Sequence, residues 1–218
     1  GPYPAELAQK AESVLRDLGV TVRTNTMVTA REKGAVTLKH GDAVERIPCE
    51  TVLWAAGVRA SPLGEVLAKR SGAQLNRGGR IIVEPDLSLP NHPEIFVIGD
   101  MANFSHQNGA PLPGVAPVAM QQGRYIAERI IHRSTGKTTP PFRYNDRGNL
   151  AIIGRARAVA DLGRIRLAGY WAWLAWLFIH LLYLVEFENR VLVLIQWGWY
   201  YFRRNRAARL ITETKADA

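Results

Sequence analysis

Glu94-Ile-Phe-Val-Ile-Gly-Asp100, then a loop, then Ala116-Pro-Val-Ala-Met-Gln-Gln-Gly123: this stretch decides how the chain reads. The first run is short, apolar and bounded by turn signals, as a buried strand is, and it ends in Gly99-Asp100. A carboxylate just beyond a strand's C-terminal end in an α/β sheet stands where such sheets bind ligands. Asp100 can accept hydrogen bonds there from a sugar-like hydroxyl; an aspartate capping a turn is the plainer reading. Gly109–Pro117 carries three prolines and reads as a loop, and Val118–His132 reads as a helix. The amides at the start of that helix carry partial positive charge that suits an electron-rich ring edge. Gln121 and Gln122 can hydrogen-bond a carbonyl, or simply sit solvated on the helix.

Toward the N-terminus, Thr51-Val-Leu-Trp-Ala-Ala-Gly57 is a strand-like run that ends in small residues. Without a Cβ at Gly57 a backbone can approach a flat ligand closely, although an ordinary strand end looks the same. Before it, Pro4–Leu18 has apolar residues at helical spacing and Gly19 as a stop, and Val20–Arg23, Ala35–Leu38 and Arg46–Ala55 read as strands. After it, Ala60–Ser71 reads as a helix, Gly78-Gly79 as a turn and Ile81–Val83 as a strand. Beyond the central helix, Asn149–Ile153 and Ala156–Asp161 are again strand-like.

The composition narrows the classes. Of 218 residues, 47% are hydrophobic and 22% charged, enough to bury a core. A net charge of +9 points to an anionic partner, either nucleic acid or an anionic membrane surface. Cys49 is the sole cysteine, which excludes an internal disulfide, a Cys-rich metal site and chemistry by a cysteine pair. The histidines show no metal-ligand spacing, so no metal is expected. The chain opens Gly1-Pro2 with no signal-peptide pattern, and a piece of a longer protein is the expectation.

The C-terminal fifth is a different material. Five of the six tryptophans lie there, at 171, 173, 176, 197 and 199. Leu167–Val185 is 19 residues with only His180 strongly polar, and as a helix it would be about 28 Å long against a hydrocarbon core of roughly 30 Å. Val191–Phe202 follows as a second apolar run, then Arg203, Arg204, Arg206 and Arg209. Three readings compete: a buried core helix, a transmembrane helix with His180 as its objection, and an interfacial pair of helices with the arginines among anionic headgroups. The arginines also allow nucleic-acid binding, but no nucleic-acid motif accompanies them and none is expected as a partner.

Taken together, Trp-Ala-Ala-Gly57, then Val-Ile-Gly-Asp100, then a Pro-rich loop and a glutamine-bearing helix resemble the two-dinucleotide-domain flavoprotein reductases. Leu112-Pro-Gly-Val-Ala-Pro-Val-Ala-Met-Gln-Gln-Gly-Arg-Tyr125, Gly148-Asn-Leu-Ala-Ile-Ile-Gly-Arg155 and Trp173-Leu-Ala-Trp-Leu-Phe-Ile-His-Leu181 are similar to the bacterial type II NADH dehydrogenases. Those are FAD-dependent, non-proton-pumping NADH:quinone oxidoreductases of the respiratory chain. The resemblance implies an α/β fold: an incomplete Rossmann-like two-dinucleotide-binding flavoprotein fold with a small antiparallel sheet and C-terminal membrane-associated helices. It implies four segments: 1–58 from the NADH-binding domain, 59–141 closing the FAD-binding domain, 142–166 a small β-sheet, and 167–218 a membrane-associated helical tail.

The resemblance also assigns roles. Gly99 and Asp100 match the turn whose acid holds the FAD ribityl chain, and Gly57 matches the loop near the nicotinamide. Ala116 and Gln121 match the ends of the family's Ala-Gln-x-x-x-Gln quinone and flavin motif, with Pro117 in place of the first Gln. Arg147 stands where a Lys is usual near the flavin pyrimidine edge, so Gln121 and Arg147 are the implied catalytic residues. The Gly-x-Gly-x-x-Gly turns that bind the two pyrophosphates are absent from this sequence, so the chain alone is expected to hold neither FAD nor NADH well and to be inactive. The implied partners are quinone, membrane lipid and the N-terminal half or a second chain, with a homodimer allowed. The implied location is peripheral, on the cytoplasmic face of the cell membrane. The alternatives are a non-catalytic membrane-docking module, or a related flavoprotein such as a sulfide:quinone reductase, whose paired cysteines the lone Cys49 does not provide.

Overall fold

The computed structural model describes residues 3–184 and 187–203. In chain order these form α1 (Ala5–Asp17), β1 (Met27–Glu32), β2 (Ala35–His40), β3 (Ala43–Pro48), α2 (Leu63–Ser71), β4 (Ile81–Ile82), β5 (Ser88–Leu89) and β6 (His92–Phe96). A 3-10 turn at Gly99–Met101 leads to β7 (Ala102–Asn103), α3 (Ala116–Ser134), β8 (Asn149–Gly154), β9 (Arg157–Asp161) and β10 (Arg166–Gly169). Two helices, α4 (Tyr170–Tyr183) and α5 (Phe187–Arg203), complete the described chain. The fold is α/β and divides into two compact units.

One unit is Thr24–Arg147. Its β1-β2-β3 meander turns at Lys33-Gly34 and Gly41-Asp42, two-residue hairpins in which glycine supplies the positive φ. β4 pairs with β7 in parallel, and β5 with β6 across a Pro90-Asn91 turn. Its core joins Ile81, Leu87, Leu89, Val97, Phe104, Val118 and Phe142, with Phe142 meeting Phe104 and Tyr125 edge-on at ring distances of 5.3 and 5.4 Å. α3 is stopped as its sequence predicts, but it begins two residues earlier than expected, at Ala116-Pro117. Proline suits a first helical turn because its missing N–H would have had no partner there.

The other unit combines the described residues before Thr24 with those from Gly148 onward. β8, β9 and β10 form an antiparallel sheet with β9 in the middle. Ala158, Val159 and Ala160 are all buried; successive strand residues point to opposite faces, so both faces of β9 are covered. Ala172 of α4 packs on Ala158 and Ala160, small side chains that let the helix lie close, and α1 also packs on β9. Gly148 opens this unit at φ +92°, and a Cβ there would stand 2.1 Å from the Asp161 carbonyl oxygen. Only glycine fits.

Four expectations change. Val20–Arg23 and Thr51–Ala55 form no ladder among the described residues, and Leu53 and Trp54 are exposed at 89% and 67%. An apolar run becomes a strand only when a neighbouring strand takes its backbone groups. β1 carries no apolar alternation because all six of its residues are exposed, and sequence reading passes over it. The apolar run from Leu167 does not start as a helix: Leu167–Gly169 belongs to β10. α4 is then 14 residues, about 21 Å, and no helix among the described residues is long and apolar enough to cross a membrane. Of the terminal arginine cluster, Arg203 closes α5, where it stacks on Trp199; Arg204, Arg206 and Arg209 lie outside the described residues.

Candidate functional site

The turn after β6 carries Gly99, at φ +68°, and Asp100. Its shape is held from below. The Gly99 N–H donates to Oε1 of Gln122 at 2.7 Å, and Gln122, 1% exposed, reaches up from the second turn of α3. A buried glutamine is costly unless paired, so this bond fixes the Gly99-Asp100 turn to the start of α3. Sequence reading left Gln122 as a possible solvated residue; burial decides against that.

Arg80 approaches Asp100 from just before β4. Its backbone N–H donates to Asn76 Oδ1 at 3.0 Å, and Asn76 Nδ2 donates onward to Asn103 Oδ1 at 3.2 Å, so the Arg80 backbone is tied to β7. Gly114 lies between the two side chains. A Cβ placed there would stand 2.8 Å from Arg80 Nη2 and 3.2 Å from Asp100 Oδ1. A cation and a carboxylate thus approach the residue 114 backbone more closely than a side chain there would allow, and Gly99, Asp100, Gly114 and Ala116 fall around the N-terminus of α3. Neither Arg80 nor Gly114 carries a sequence signal of its own. Their role emerges only from the approach of three separated segments.

Two glutamines grip the segment that leads to Arg147. Gln121 Nε2 donates to the Asn145 carbonyl at 2.9 Å, and its Oε1 accepts the Asn145 N–H at 2.9 Å. Gln107 does the same to Tyr144, at 3.1 and 2.9 Å. Each side-chain amide mimics a strand partner, so residues 144–145 are pinned on both sides. Gln121 therefore spends both its polar atoms on main chain. Arg147 is exposed, two residues past the clamp, and pairs with no carboxylate among the described residues. Gly57 stands in open surroundings at φ +96°, and the structure does not bring it against the Gly99–Ala116 group.

Beside this, Asp86 accepts from the Ser88 hydroxyl at 2.6 Å and the Ser88 N–H at 3.0 Å, and ion-pairs with Arg129. Burial pushes its carboxyl up, but the Ser88 bonds and Arg129 outweigh this and hold it below its ordinary range. No group of metal-ligating side chains forms among the described residues.

In the other unit, α4 and α5 enclose a cleft of about 440 Å³. Trp176 stacks on Trp197 at 5.6 Å, Trp173 lies 5.5 Å from Tyr201, and the Arg155 guanidinium covers the Tyr201 ring at 4.3 Å. His180 stacks on Trp176 and bonds its carbonyl at 2.7 Å, a locally satisfied helix histidine. The outward side chains are apolar and bare: Trp171, Phe178, Phe187 and Phe202 are 62–83% exposed.

Residues 1–123 match the family model described as pyridine nucleotide-disulphide oxidoreductase, and residues 147–204 match the NDH2 C-terminal domain. The chain is similar to the type II NADH:quinone oxidoreductase NdhA of Mycobacterium tuberculosis, 43% identical over 217 residues, covering 97% of this chain and 45% of that protein. It is 38% identical over 221 residues to Ndh of the same organism, covering 100% of this chain and 47% of that protein. The chain thus spans about half the length of the curated relatives it matches. The structure of NDH2 from Plasmodium falciparum in complex with NADH superimposes with a TM-score of 0.78 at 17% identity, over 91% of this chain and 56% of that one, which shows the fold.

Proposed function

This chain belongs to the pyridine nucleotide-disulphide oxidoreductase family and, within it, to the type II NADH:quinone oxidoreductases, and on that premise we propose that it supplies the C-terminal half of an FAD-dependent NADH:quinone oxidoreductase. The observation that carries the reading is the close approach of Arg80 and Asp100 over Gly114 at the N-terminus of α3. A carboxylate, a cation and helix-terminal amides brought together beside a glycine suit a polyhydroxyl chain ending in phosphate, so the residues fit FAD.

Each residue then has a task. Asp100 accepts hydrogen bonds from ribityl hydroxyls, and Gln122 keeps the Gly99-Asp100 turn in place to do so. Ala116 keeps the helix start free of side-chain bulk. Gln121 acts as a positioning residue: by clamping Asn145 it sets where Arg147 stands, and the Arg147 cation stabilises negative charge on the reduced ring system. Gly57 leaves room for the nicotinamide. The bound flavin would supply the two-electron chemistry that links NADH to a quinone. The bare aromatic side chains of α4 and α5 dock the protein peripherally on the cytoplasmic face of the membrane, where quinone is delivered. The pyrophosphate-binding turns come from the N-terminal half, and this polypeptide by itself holds the cofactors weakly and is inactive.

Asp100→Ala, made in the protein that includes the N-terminal half, tests the reading. Loss of a hydrogen bond to a charged group costs about 1.5–3 kcal/mol, so FAD affinity should fall about tenfold to a hundredfold, seen as a lower flavin band near ~450 nm per protein. Unchanged flavin occupancy would remove Asp100 from the site.

A further inference from the structure

We propose that the cleft between α4 and α5 binds one anionic phospholipid, with an acyl chain lying against the tryptophans and the phosphate at Arg155. The proposal rests on the membrane docking proposed above and names the ligand class of that surface.

The cleft, about 440 Å³, falls within the roughly 300–1,000 Å³ typical of ligand sites. Its walls are Trp173, Trp176 and Leu177 from α4 with Leu194, Trp197 and Gly198 from α5. The Trp176–Trp197 and Trp173–Tyr201 contacts join α4 to α5, so the rings form a fixed apolar floor to the cleft. A hydrocarbon chain is the occupant that such a surface solvates best.

Arg155 decides which hydrocarbon. It is the one charged residue lining the cleft among the described residues. Its guanidinium is held by the Tyr201 ring at 4.3 Å and by donation to the Tyr201 carbonyl, and no carboxylate pairs with it among the described residues. Guanidinium has five N–H donors, so most remain free, and an oxyanion such as a phosphodiester satisfies them in pairs. A neutral isoprenoid quinone would leave that charge without a counterion. The exposed Trp171, Phe178 and Phe202 place the surrounding surface at the boundary between headgroups and acyl chains, where a lipid enters without leaving the bilayer.

Gly198 offers a specific test. It lines the cleft, and an added Cβ meets nothing within 4 Å, so a side chain can start there; Gly198→Leu adds bulk at the cleft and improves helix propensity. The purified chain would be mixed with phosphatidylcholine vesicles with or without phosphatidylglycerol, pelleted, and examined by native mass spectrometry for lipid carried through. Wild type should pellet with both vesicle types and retain one phosphatidylglycerol. Gly198→Leu should still pellet but lose retained lipid by about tenfold or more. Arg155→Gln should cut the preference for phosphatidylglycerol by about fivefold, whereas Arg164→Gln, removing an exposed arginine of the same unit, should change it far less. Pelleting without retained phosphatidylglycerol, retention unaffected by Gly198→Leu, equal effects of the two arginine changes, or preferential retention of a neutral isoprenoid quinone would overturn the site and leave docking intact. Failure to pellet with either vesicle would sink the docking reading itself, and the site with it.

Discussion

Gly114→Ala separates a role in cofactor binding from a role in folding. Gly114 has no positive φ, so alanine meets no backbone strain, and replacing glycine restricts the unfolded chain, worth about 0.4–1 kcal/mol in favour of folding. The new methyl would stand 2.8 Å from Arg80 Nη2 and 3.2 Å from Asp100 Oδ1. Both are distal atoms of side chains that can swing aside, so the stability cost is small and the two effects largely cancel. The melting temperature should move by no more than a few degrees, since about 1 kcal/mol corresponds to roughly 2–4 °C for 150–250 residues and to less in a longer chain. The displaced pair, however, no longer presents its guanidinium and carboxylate together at the start of α3. Misplacing a charge-assisted hydrogen bond costs about 1.5–3 kcal/mol, which is a tenfold to hundredfold loss of FAD affinity. The assay is flavin retained per protein and FAD affinity by titration, in the protein that includes the N-terminal half, beside a thermal melt. Wild-type FAD affinity in a normally folded Gly114→Ala variant would refute the assignment of the Arg80–Asp100 pair to the cofactor. A collapse in melting temperature would refute the claim that the glycine is there for the ligand.

Gly148→Ala should behave in the opposite way. There the φ of +92° and a Cβ 2.1 Å from a backbone oxygen leave nothing flexible to yield, so urea unfolding should show a loss of about 3 kcal/mol or more, and a wild-type midpoint would contradict the tight approach to Asp161. Asp86 predicts a pH dependence. Its carboxyl is held below its ordinary value of 3.8 when folded, so its contribution is complete above about pH 4 and fades as pH falls through the lowered folded value. Asp86→Asn should therefore cost about 1–2 kcal/mol at pH 7 and progressively less in acid, and a gap between wild type and variant that does not narrow with acid would contradict the Ser88 and Arg129 pairing.

Much of this protein is legible locally. α1, α2 and α3 lie where the sequence reads as helical, and Gly99-Asp100 marks the end of a strand by its residues alone. Leu112–Tyr125, Gly148–Arg155 and Trp173–Leu181 carry the family likeness without any structure. What sequence could not decide are the matters that depend on residues far apart in the chain. Thr51–Ala55 and Val20–Arg23 have strand-like composition but no ladder, because a strand is a property of a pair. Leu167–Gly169 looks like the start of a helix, yet β9 takes its backbone groups into a sheet and shortens α4 below membrane-spanning length. Gln122 looks like a surface glutamine until the packing of α3 buries it under Gly99. Arg80, Gly114 and Asp100 are separated by up to 34 positions, and only the tertiary fold brings them together. Local patterns are set by neighbours three or four residues away, whereas a site is made where distant backbones are forced to meet.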